Sequence, residues 1–183
     1  KLDSWVANEL RIPESKAAEY VNAIKAYTDP DSDVYSEIRR YQRKAPLMFL
    51  SEAEAKKLSD DIEEYIQNAP RWNGGTTYRG VSESDEGLSK LIPGATVEMG
   101  GTSSWSVTES ISREYAEHSL THERPNMVVY HCETQSKGTG IKHIAVLPDE
   151  DEVLCSVESK YKVVRTQQDK DHITHVYLEE EVE

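Results

Sequence analysis

Two glutamates late in the chain, Glu150 and Glu152, alternate within a run of four consecutive acids at 149–152. If this run begins a β-strand, the two-residue period places both side chains on one face, about 7 Å apart. Paired carboxylates at such a separation are a geometry that can serve catalysis. The alternative is a solvated charge run at the start of a strand.

The chain as a whole is strongly acidic. Its 183 residues include 34 acidic and 21 basic side chains, which give a formal net charge of -13. This charge argues against a nucleic-acid partner, since binding to phosphates requires clustered Lys and Arg, and it suits a protein that meets basic targets. We interpret the one basic cluster, Arg39, Arg40, Arg43 and Lys44, as a solvated helix face. No apolar run approaches the roughly 18 residues that would predict a membrane span.

The order of the predicted elements favours an α+β fold. Helical spacing of apolar residues, and a capping-box pair at Ser51 and Glu54, predict helices through residues 1–70. After Asn73-Gly74-Gly75 the pattern becomes that of strands, with one helix near 109–119. Helices followed by strands predict a helical N-terminal lobe and then two packed, mainly antiparallel β-sheets within a single domain, 1–183. The candidate strands are 76–79, 97–99, 101–106, 127–133, 141–147, 152–157, 161–165 and 173–178.

Other residues that could do chemistry are less convincing. His118 and His122 lie four residues apart but lack the order of a zinc hydrolase motif, so a solvent-facing pair is favoured and no metal site is predicted. His131 adjoins Cys132, but neighbours on a strand point to opposite faces, which argues against a thiol nucleophile. Cys132 and Cys155 are expected to be reduced and partly buried. No glycine-rich phosphate loop precedes a helix, so a Rossmann site is not expected.

Three separated stretches occur in a meaningful order: Tyr78-Arg79-Gly80, Thr102-Ser103-Ser104-Trp105-Ser106, and Glu150-Asp151-Glu152-Val153-Leu154. Together they resemble the Arg, Ser-Thr-Ser, Glu-x-Glu series of the mono-ADP-ribosyltransferase toxins and phage enzymes. The layout is most similar to the single-domain exoenzymes and to the catalytic parts of the actin-modifying binary toxins. Two positions depart from the pattern: Trp105 stands for the usual Thr, and Leu147 for the usual aromatic before the third motif.

The resemblance implies that NAD is the substrate and that residues 76–178 form the β-rich core that binds it. Glu152 would stabilise the oxocarbenium-like charge on the ribose and accept a hydrogen bond from its 2′-OH. Ser104 would hold the Glu152 carboxylate in place. Arg79 would pair with phosphate or ribose oxygens of NAD, since a planar guanidinium suits these groups.

Further roles follow from the same resemblance. Gly80 would let the backbone approach the nicotinamide amide, Ser106 would support the site, and Arg124 would be a second contact to phosphate. Glu150 would set the acceptor, because Glu-x-Glu accompanies arginine targets in this family. A carboxylate can orient a guanidinium and take its proton.

The predicted function is therefore transfer of ADP-ribose from NAD to an arginine of a target protein. Two alternatives stay open: an NAD glycohydrolase that transfers to water, and a non-catalytic acidic interaction domain on the same scaffold. The expected partner is the target protein, with no nucleic acid and no membrane span, and a delivery or inhibitor partner is left open. The resemblance implies a toxin or effector delivered into a target cell, or a phage enzyme acting in the cytoplasm.

Overall fold

A computed structural model describes residues 1–146 and 151–182. Within these ranges the chain forms six helices and eight strands, a mixed α/β fold. The helices are α1 Leu2–Leu10, α2 Glu14–Thr28, α3 Val34–Gln42, α4 Glu52–Asn68, α5 Asp85–Ser89 and α6 Glu109–His118. The strands are β1 Thr77–Glu83, β2 Thr96–Glu98, β3 Ser103–Ser106, β4 Asn126–Cys132, β5 Gly138–Gly140, β6 Glu152–Cys155, β7 Lys160–Gln168 and β8 Thr174–Glu180.

All eight described strands belong to one hydrogen-bonded sheet, in the order β2-β7-β8-β4-β1-β3-β6-β5. Every pairing is antiparallel except that of β4 with β8. The prediction of two separate sheets is not confirmed, because β1 pairs with both β4 and β3. The link from β1 to β3 is narrow, a single pair of Tyr78 with Ser106, whereas β1 pairs with β4 along its whole length.

The four helices that precede β1 pack around one apolar core. Ile24 of α2, Ile38 of α3 and Ile62 of α4 are fully buried in it. Leu154 of β6 belongs to the same cluster. The predicted helical lobe is therefore not confirmed as a separate body, since the helices share their core with a strand of the sheet. Among the described residues, no helix has both the length and the apolar character needed to cross a membrane.

Most local predictions agree with the observed elements. The capping box at the start of α4 is present: Ser51 Oγ accepts from the Glu54 backbone N–H at 3.1 Å, and the Glu54 carboxylate accepts from the Ser51 N–H at 3.1 Å. Helix α5 and strand β5 were not predicted, because each is short, with five and three residues.

The predicted strand at 141–147 is wrong over its described part. Residues 141–146 form turns, in which the Ile141 carbonyl accepts from the N–H groups of Ile144 and Ala145 at 2.8 and 2.9 Å. This turn directs Ile141 and Ile144 into the helical core, where both are buried. Apolar residues three apart suit one face of a turn as well as they suit a strand, and burial against the helices decided between them.

Two neighbouring strands, β3 and β6, carry most of the predicted site. They pair so that Ser104 lies opposite Leu154 and Ser106 opposite Glu152. Because side chains alternate along a strand, Trp105 points to the other face. There it is almost fully buried, with its ring centroid 5.4 Å from that of Tyr161. The departure at position 105 therefore fills the core behind the strand and leaves the serine face unchanged.

Candidate functional site

A cleft of about 560 Å³ opens between the α2–α3 connection, strands β1, β3 and β6, and helix α6. The sequence predictions converge on it, since each described site residue lines this cleft: Arg79, Gly80, Ser104, Ser106, Arg124 and Glu152. Glu150, the remaining predicted site residue, and Leu147 lie outside the described residues. Residues far apart in sequence are thus brought to one concave surface, as in most small-molecule sites.

Glu152 is the first residue of β6, and its side chain is held from the neighbouring strand. Ser104 Oγ of β3 donates a hydrogen bond to Glu152 Oε2. The two positions are diagonal neighbours on one face of the β3–β6 pair, which is within reach of a serine and a glutamate. A carboxylate fixed in this way presents negative charge to the cleft without further rearrangement.

Arg79 of β1 places a positive charge next to the serine strand of the cleft. Its Nη1 donates to the Ser104 carbonyl oxygen at 2.9 Å, which ties β1 to the serine strand. Its Nε is buried and has no hydrogen-bond partner among the described residues. A buried, unsatisfied guanidinium nitrogen facing a cleft is a group that a phosphate or ribose oxygen would satisfy, so the residues present fit an anionic ligand.

The tyrosines around Arg79 favour its charged form. Burial by itself lowers the pKa of Arg79, but the nearby hydroxyls of Tyr35 and Tyr27 reverse this and raise the pKa above its ordinary value. Burial raises the pKa of Tyr35, but the guanidinium groups of Arg79 and Arg39 more than offset it, so that the pKa of Tyr35 is lowered. The cleft therefore contains a buried, permanently cationic side chain on the strand next to the one that holds Glu152.

Gly80 is required for a close approach that the sequence did not predict. A Cβ at this position would lie 1.6 Å from the Ser112 carbonyl oxygen and 2.9 Å from the Ala116 nitrogen, both in the backbone of α6. Only a glycine lets α6 pack this closely on β1. Since α6 forms one wall of the cleft, Gly80 sets the width of the cleft, and its predicted contact with nicotinamide stays a prediction.

Ser106 and Arg124 occupy the rim of the site. Ser106 Oγ accepts from the Thr108 N–H at 3.0 Å and so shapes the turn that leads into α6. Arg124 is exposed, and its Nε and Nη2 donate to the Ser82 carbonyl oxygen at 3.1 and 2.7 Å. Its Nη2 also lies 3.4 Å from Glu83 Oε2. These contacts anchor the Arg124 guanidinium to the end of β1, at the edge of the cleft.

A polar network that sequence reasoning missed fixes the start of the serine strand. Arg39 of α3 donates to the Thr102 and Met99 carbonyl oxygens at 2.5 and 2.6 Å. Thr102 Oγ1 also accepts from Gln42 at 2.8 Å and donates to Glu63 at 2.5 Å. The interpretation of the basic cluster as a solvated face is therefore wrong for Arg39, which is buried. The sequence held one sign of this network: Arg39 and Gln42 are three residues apart, which places them on the same face of a helix.

The histidine pair and the two cysteines that the sequence offered as other reactive groups do not line the cleft. His118 and His122 are both exposed. Cys132 and Cys155 are free and buried, and burial raises the pKa of Cys132 to about 11. A thiol with so high a pKa is a poor nucleophile at neutral pH.

Comparison with known families gives a match across nearly the whole chain. The family model described as ART, NAD:arginine ADP-ribosyltransferase, matches residues 7–183. A comparison with curated protein sequences finds no match.

Solved structures of similar fold are found among bacterial toxins. The ADP-ribosyltransferase Vis of Vibrio splendidus, in complex with agmatine, is 18% identical over 99% of this chain and 85% of its own, with a TM-score of 0.76. Exoenzyme S of Pseudomonas aeruginosa is 16% identical over 98% of this chain and 89% of its own, with a TM-score of 0.66. An ADP-ribosyltransferase of Clostridium botulinum is 15% identical over 98% of this chain and 94% of its own, with a TM-score of 0.63. At these identities the likeness shows a shared fold.

Proposed function

This chain belongs to the NAD:arginine ADP-ribosyltransferase family, and from that premise we propose that it transfers ADP-ribose from NAD to an arginine side chain of a target protein. NAD is the substrate of the family. The observation that carries the proposal is the Glu152 carboxylate, held by Ser104 inside the cleft that also contains Arg79. We further propose that residues 1–183 act together as one catalytic domain.

Glu152 acts on the bond that breaks. The bond between the ribose C1′ and the nicotinamide nitrogen cleaves, and nicotinamide leaves with the electron pair. The ribose then carries oxocarbenium-like positive charge. A preorganised carboxylate beside that carbon stabilises the charge, which is the type of interaction that usually contributes most to catalysis. Arg79, with its free Nε, holds a phosphate or ribose oxygen and so positions C1′ against Glu152.

Glu150 acts on the group that attacks. A guanidinium is a poor nucleophile while it is charged, so a carboxylate must orient it and take the proton that is released as nitrogen bonds to C1′. Glu150 stands two residues before Glu152 in the Glu-x-Glu pattern. The Vis enzyme, similar in fold, has been solved in complex with agmatine, a small guanidine. This complex supports a guanidine as the acceptor here.

Separate assays of transfer and hydrolysis test the division of labour. Glu152→Gln keeps the shape of the side chain but loses its charge, so transfer to agmatine and slow NAD hydrolysis should both fall by roughly a hundredfold or more. Glu150→Gln should lose transfer to agmatine but retain much of the hydrolysis, because water needs no guanidinium clamp. Released nicotinamide and ADP-ribosyl-agmatine are measured side by side, and Glu114→Gln on the exposed face of α6 is the control.

Each other outcome has a definite meaning. If Glu152→Gln retains either activity, the catalytic assignment is wrong. If both glutamate variants lose the two activities in parallel, the division of labour is wrong. Wild-type protein that releases nicotinamide equally with and without agmatine would be an NAD glycohydrolase, and protein that releases none would be an interaction domain.

The setting in which the enzyme acts belongs to the same proposal. Structures of similar fold include a toxin and type III effectors. Together with the net charge of -13, which favours basic targets, this supports a protein delivered into another cell, where it modifies a target protein.

A further inference from the structure

A cluster of metal-binding side chains lies outside the cleft, where helix α6 begins. Glu109 is the first residue of α6, His131 lies on β4 and His175 on β8. One ligand atom from each falls within 4.8 Å of the other two. His131 Nε2 is 2.8 Å from His175 Nδ1 and 3.8 Å from Glu109 Oε1. None of the three is among the residues that line the cleft in the described structure.

The cluster has the outer contacts that orient metal ligands in proteins. His175 Nε2 lies 2.8 Å from Asp169 Oδ2, so this nitrogen carries a hydrogen and donates a hydrogen bond to the carboxylate. His175 Nδ1 is then the unprotonated nitrogen, with its lone pair directed towards His131. Asp169 is itself fixed by Arg113 Nη1 at 2.9 Å. A carboxylate behind a histidine is the usual arrangement at metal sites, where it sets the tautomer and ring orientation.

The two imidazoles are also rigid and shielded from water. His131 and His175 are 9% and 8% exposed. The Tyr177 ring stacks on His131 at a centroid distance of 4.4 Å, and Tyr78 meets it edge-on at 5.0 Å. These ring contacts hold the His131 imidazole in one orientation, with Nε2 facing His175 Nδ1.

We propose that Glu109, His131 and His175 bind a divalent zinc ion that links α6 to strands β4 and β8. Two histidines and one carboxylate are a known three-ligand set for zinc, with water in the fourth position. Tetrahedral bonds of about 2.0–2.2 Å place ligand atoms roughly 3.3 Å apart. The two histidine nitrogens therefore separate by about 0.5 Å from their hydrogen-bonded distance, and the proton on His131 Nε2 moves to Nδ1 of the same ring.

The charges around the cluster are compatible with a cation. Arg113 and Arg165 are positive, but Arg113 is already paired with Asp169 and Asp171. Arg165 lies over the Tyr177 ring at 3.6 Å. Glu109 adds a carboxylate that is only partly buried, so an ion can enter from that side. The sequence predicted no metal site because the three ligands come from three elements that only the fold brings together.

Metal titration of the protein without NAD tests the site independently of the proposed catalytic activity. Protein freed of metal with a chelator is titrated with Zn²⁺ by calorimetry, and Co²⁺ serves as a spectroscopic probe of tetrahedral coordination. The expected result is one equivalent of Zn²⁺ and a tetrahedral Co²⁺ spectrum. Glu109→Gln and His175→Ala should each weaken Zn²⁺ binding at least tenfold. Asp169→Asn, which removes only the outer contact, should weaken it by roughly 10–100-fold.

The exposed histidines provide a matched control. The double variant His118→Ala, His122→Ala should bind Zn²⁺ like the wild type. Glu109→Gln keeps the test decisive if His175→Ala fails to fold, because the Glu109 side chain is 42% exposed and tolerates the change. The proposal is overturned if wild-type protein takes up no Zn²⁺, if Glu109→Gln binds it unchanged, or if only the control variant loses it.

Discussion

A hydrogen bond between neighbouring strands helps to hold the acid on which the proposed chemistry depends. Ser104 Oγ donates to Glu152 Oε2, and the Ser104 carbonyl oxygen accepts from Arg79 at 2.9 Å. One residue thus connects Glu152 with Arg79. The Ser104 side chain makes the contact with Glu152 and its backbone makes the contact with Arg79, so a mutation of the side chain removes only the first.

Ser104→Ala should lower kcat for ADP-ribosyl transfer by roughly 10–100-fold, because Glu152 loses a hydrogen bond that helps to fix its position. KM for NAD should change little, since the backbone contact to Arg79 remains. Steady-state kinetics with NAD and agmatine measure both constants, and Ser110→Ala on the exposed side of α6 is the control. Unchanged kcat would show that Ser104 does not position Glu152.

Gly80→Ala should destabilise the fold by about 3 kcal/mol, since overpacking against backbone cannot be relieved by a side-chain rotation. The new Cβ would lie 1.6 Å from the Ser112 carbonyl oxygen. Gly140→Ala is the matched control, because its Cβ would meet Trp72 at 3.4 Å, an ordinary contact. Urea unfolding followed by circular dichroism measures both variants. Equal midpoints for the two would contradict the packing argument.

At the scale of elements, the helices position the site strands through polar contacts. Helix α3 holds the start of β3 through Arg39 and Gln42, and it holds the connection to α4 through Glu37. The Glu37 carboxylate is buried and accepts from the N–H groups of Met48, Phe49 and Leu50 at about 2.9 Å each. A connection with two exposed apolar side chains, Met48 and Phe49, is thereby kept in one conformation.

The contribution of Glu37 to stability should be lost as the pH becomes acidic. Burial by itself raises the pKa of Glu37, but the three N–H groups and Arg40 lower it from 4.5 to about 2. A lowered pKa means that ionised Glu37 contributes its full stability above pH 4.5 and loses it progressively as the pH falls towards 2. Glu37→Gln should therefore lower the urea midpoint most at pH 7, and the difference from wild type should shrink towards pH 2.

A matched variant separates this effect from general acid unfolding. Glu114→Gln, at an exposed position of α6, should leave the urea midpoint nearly unchanged at both pH values. Hydrogen exchange at the Met48, Phe49 and Leu50 amides should accelerate in Glu37→Gln alone. A constant difference between Glu37→Gln and wild type from pH 7 to pH 2 would show that the carboxylate does not carry the pH dependence.

At the scale of the whole molecule, the cleft lies where the helices meet the sheet. One wall comes from the end of α2 and the start of α3, the floor from β1, β3 and β6, and the other wall from α6. A ligand in the cleft contacts all three, so its binding free energy adds to the stability of the whole molecule. The increase in the free energy of unfolding on adding NAD therefore measures NAD binding without any need for turnover.

NAD at a hundredfold excess over Kd should raise the free energy of unfolding by about 2.7 kcal/mol. The measurement uses Glu152→Gln, which should bind NAD without consuming it. Adding Arg79→Ala should lower the affinity at least tenfold, which leaves about 1.4 kcal/mol at the same NAD concentration. Arg79→Lys should fall between, because an ammonium cannot make the forked contact. Arg165→Ala, outside the cleft, is the control. If NAD raised the free energy of unfolding as much with Arg79→Ala as without it, Arg79 would not be part of the NAD site.

The sequence by itself determined which residues were candidates for the site. The resemblance singled out Arg79, Ser104, Ser106 and Glu152, all of which line the cleft. These properties are local: they depend on residue type and on spacing within a few positions. The capping box that starts α4 was predictable for the same reason.

Only the tertiary structure decided which partner each residue meets. Burial of Arg39, the turn at 141–146, the contact of Gly80 with α6 and the cluster of Glu109, His131 and His175 all join segments distant in sequence. The same local pattern is compatible with several partners, and the choice among them is made by packing of the whole chain. A guanidinium on an amphipathic helix is expected to be solvated until a neighbouring backbone carbonyl is placed against it, as the Thr102 carbonyl is against Arg39.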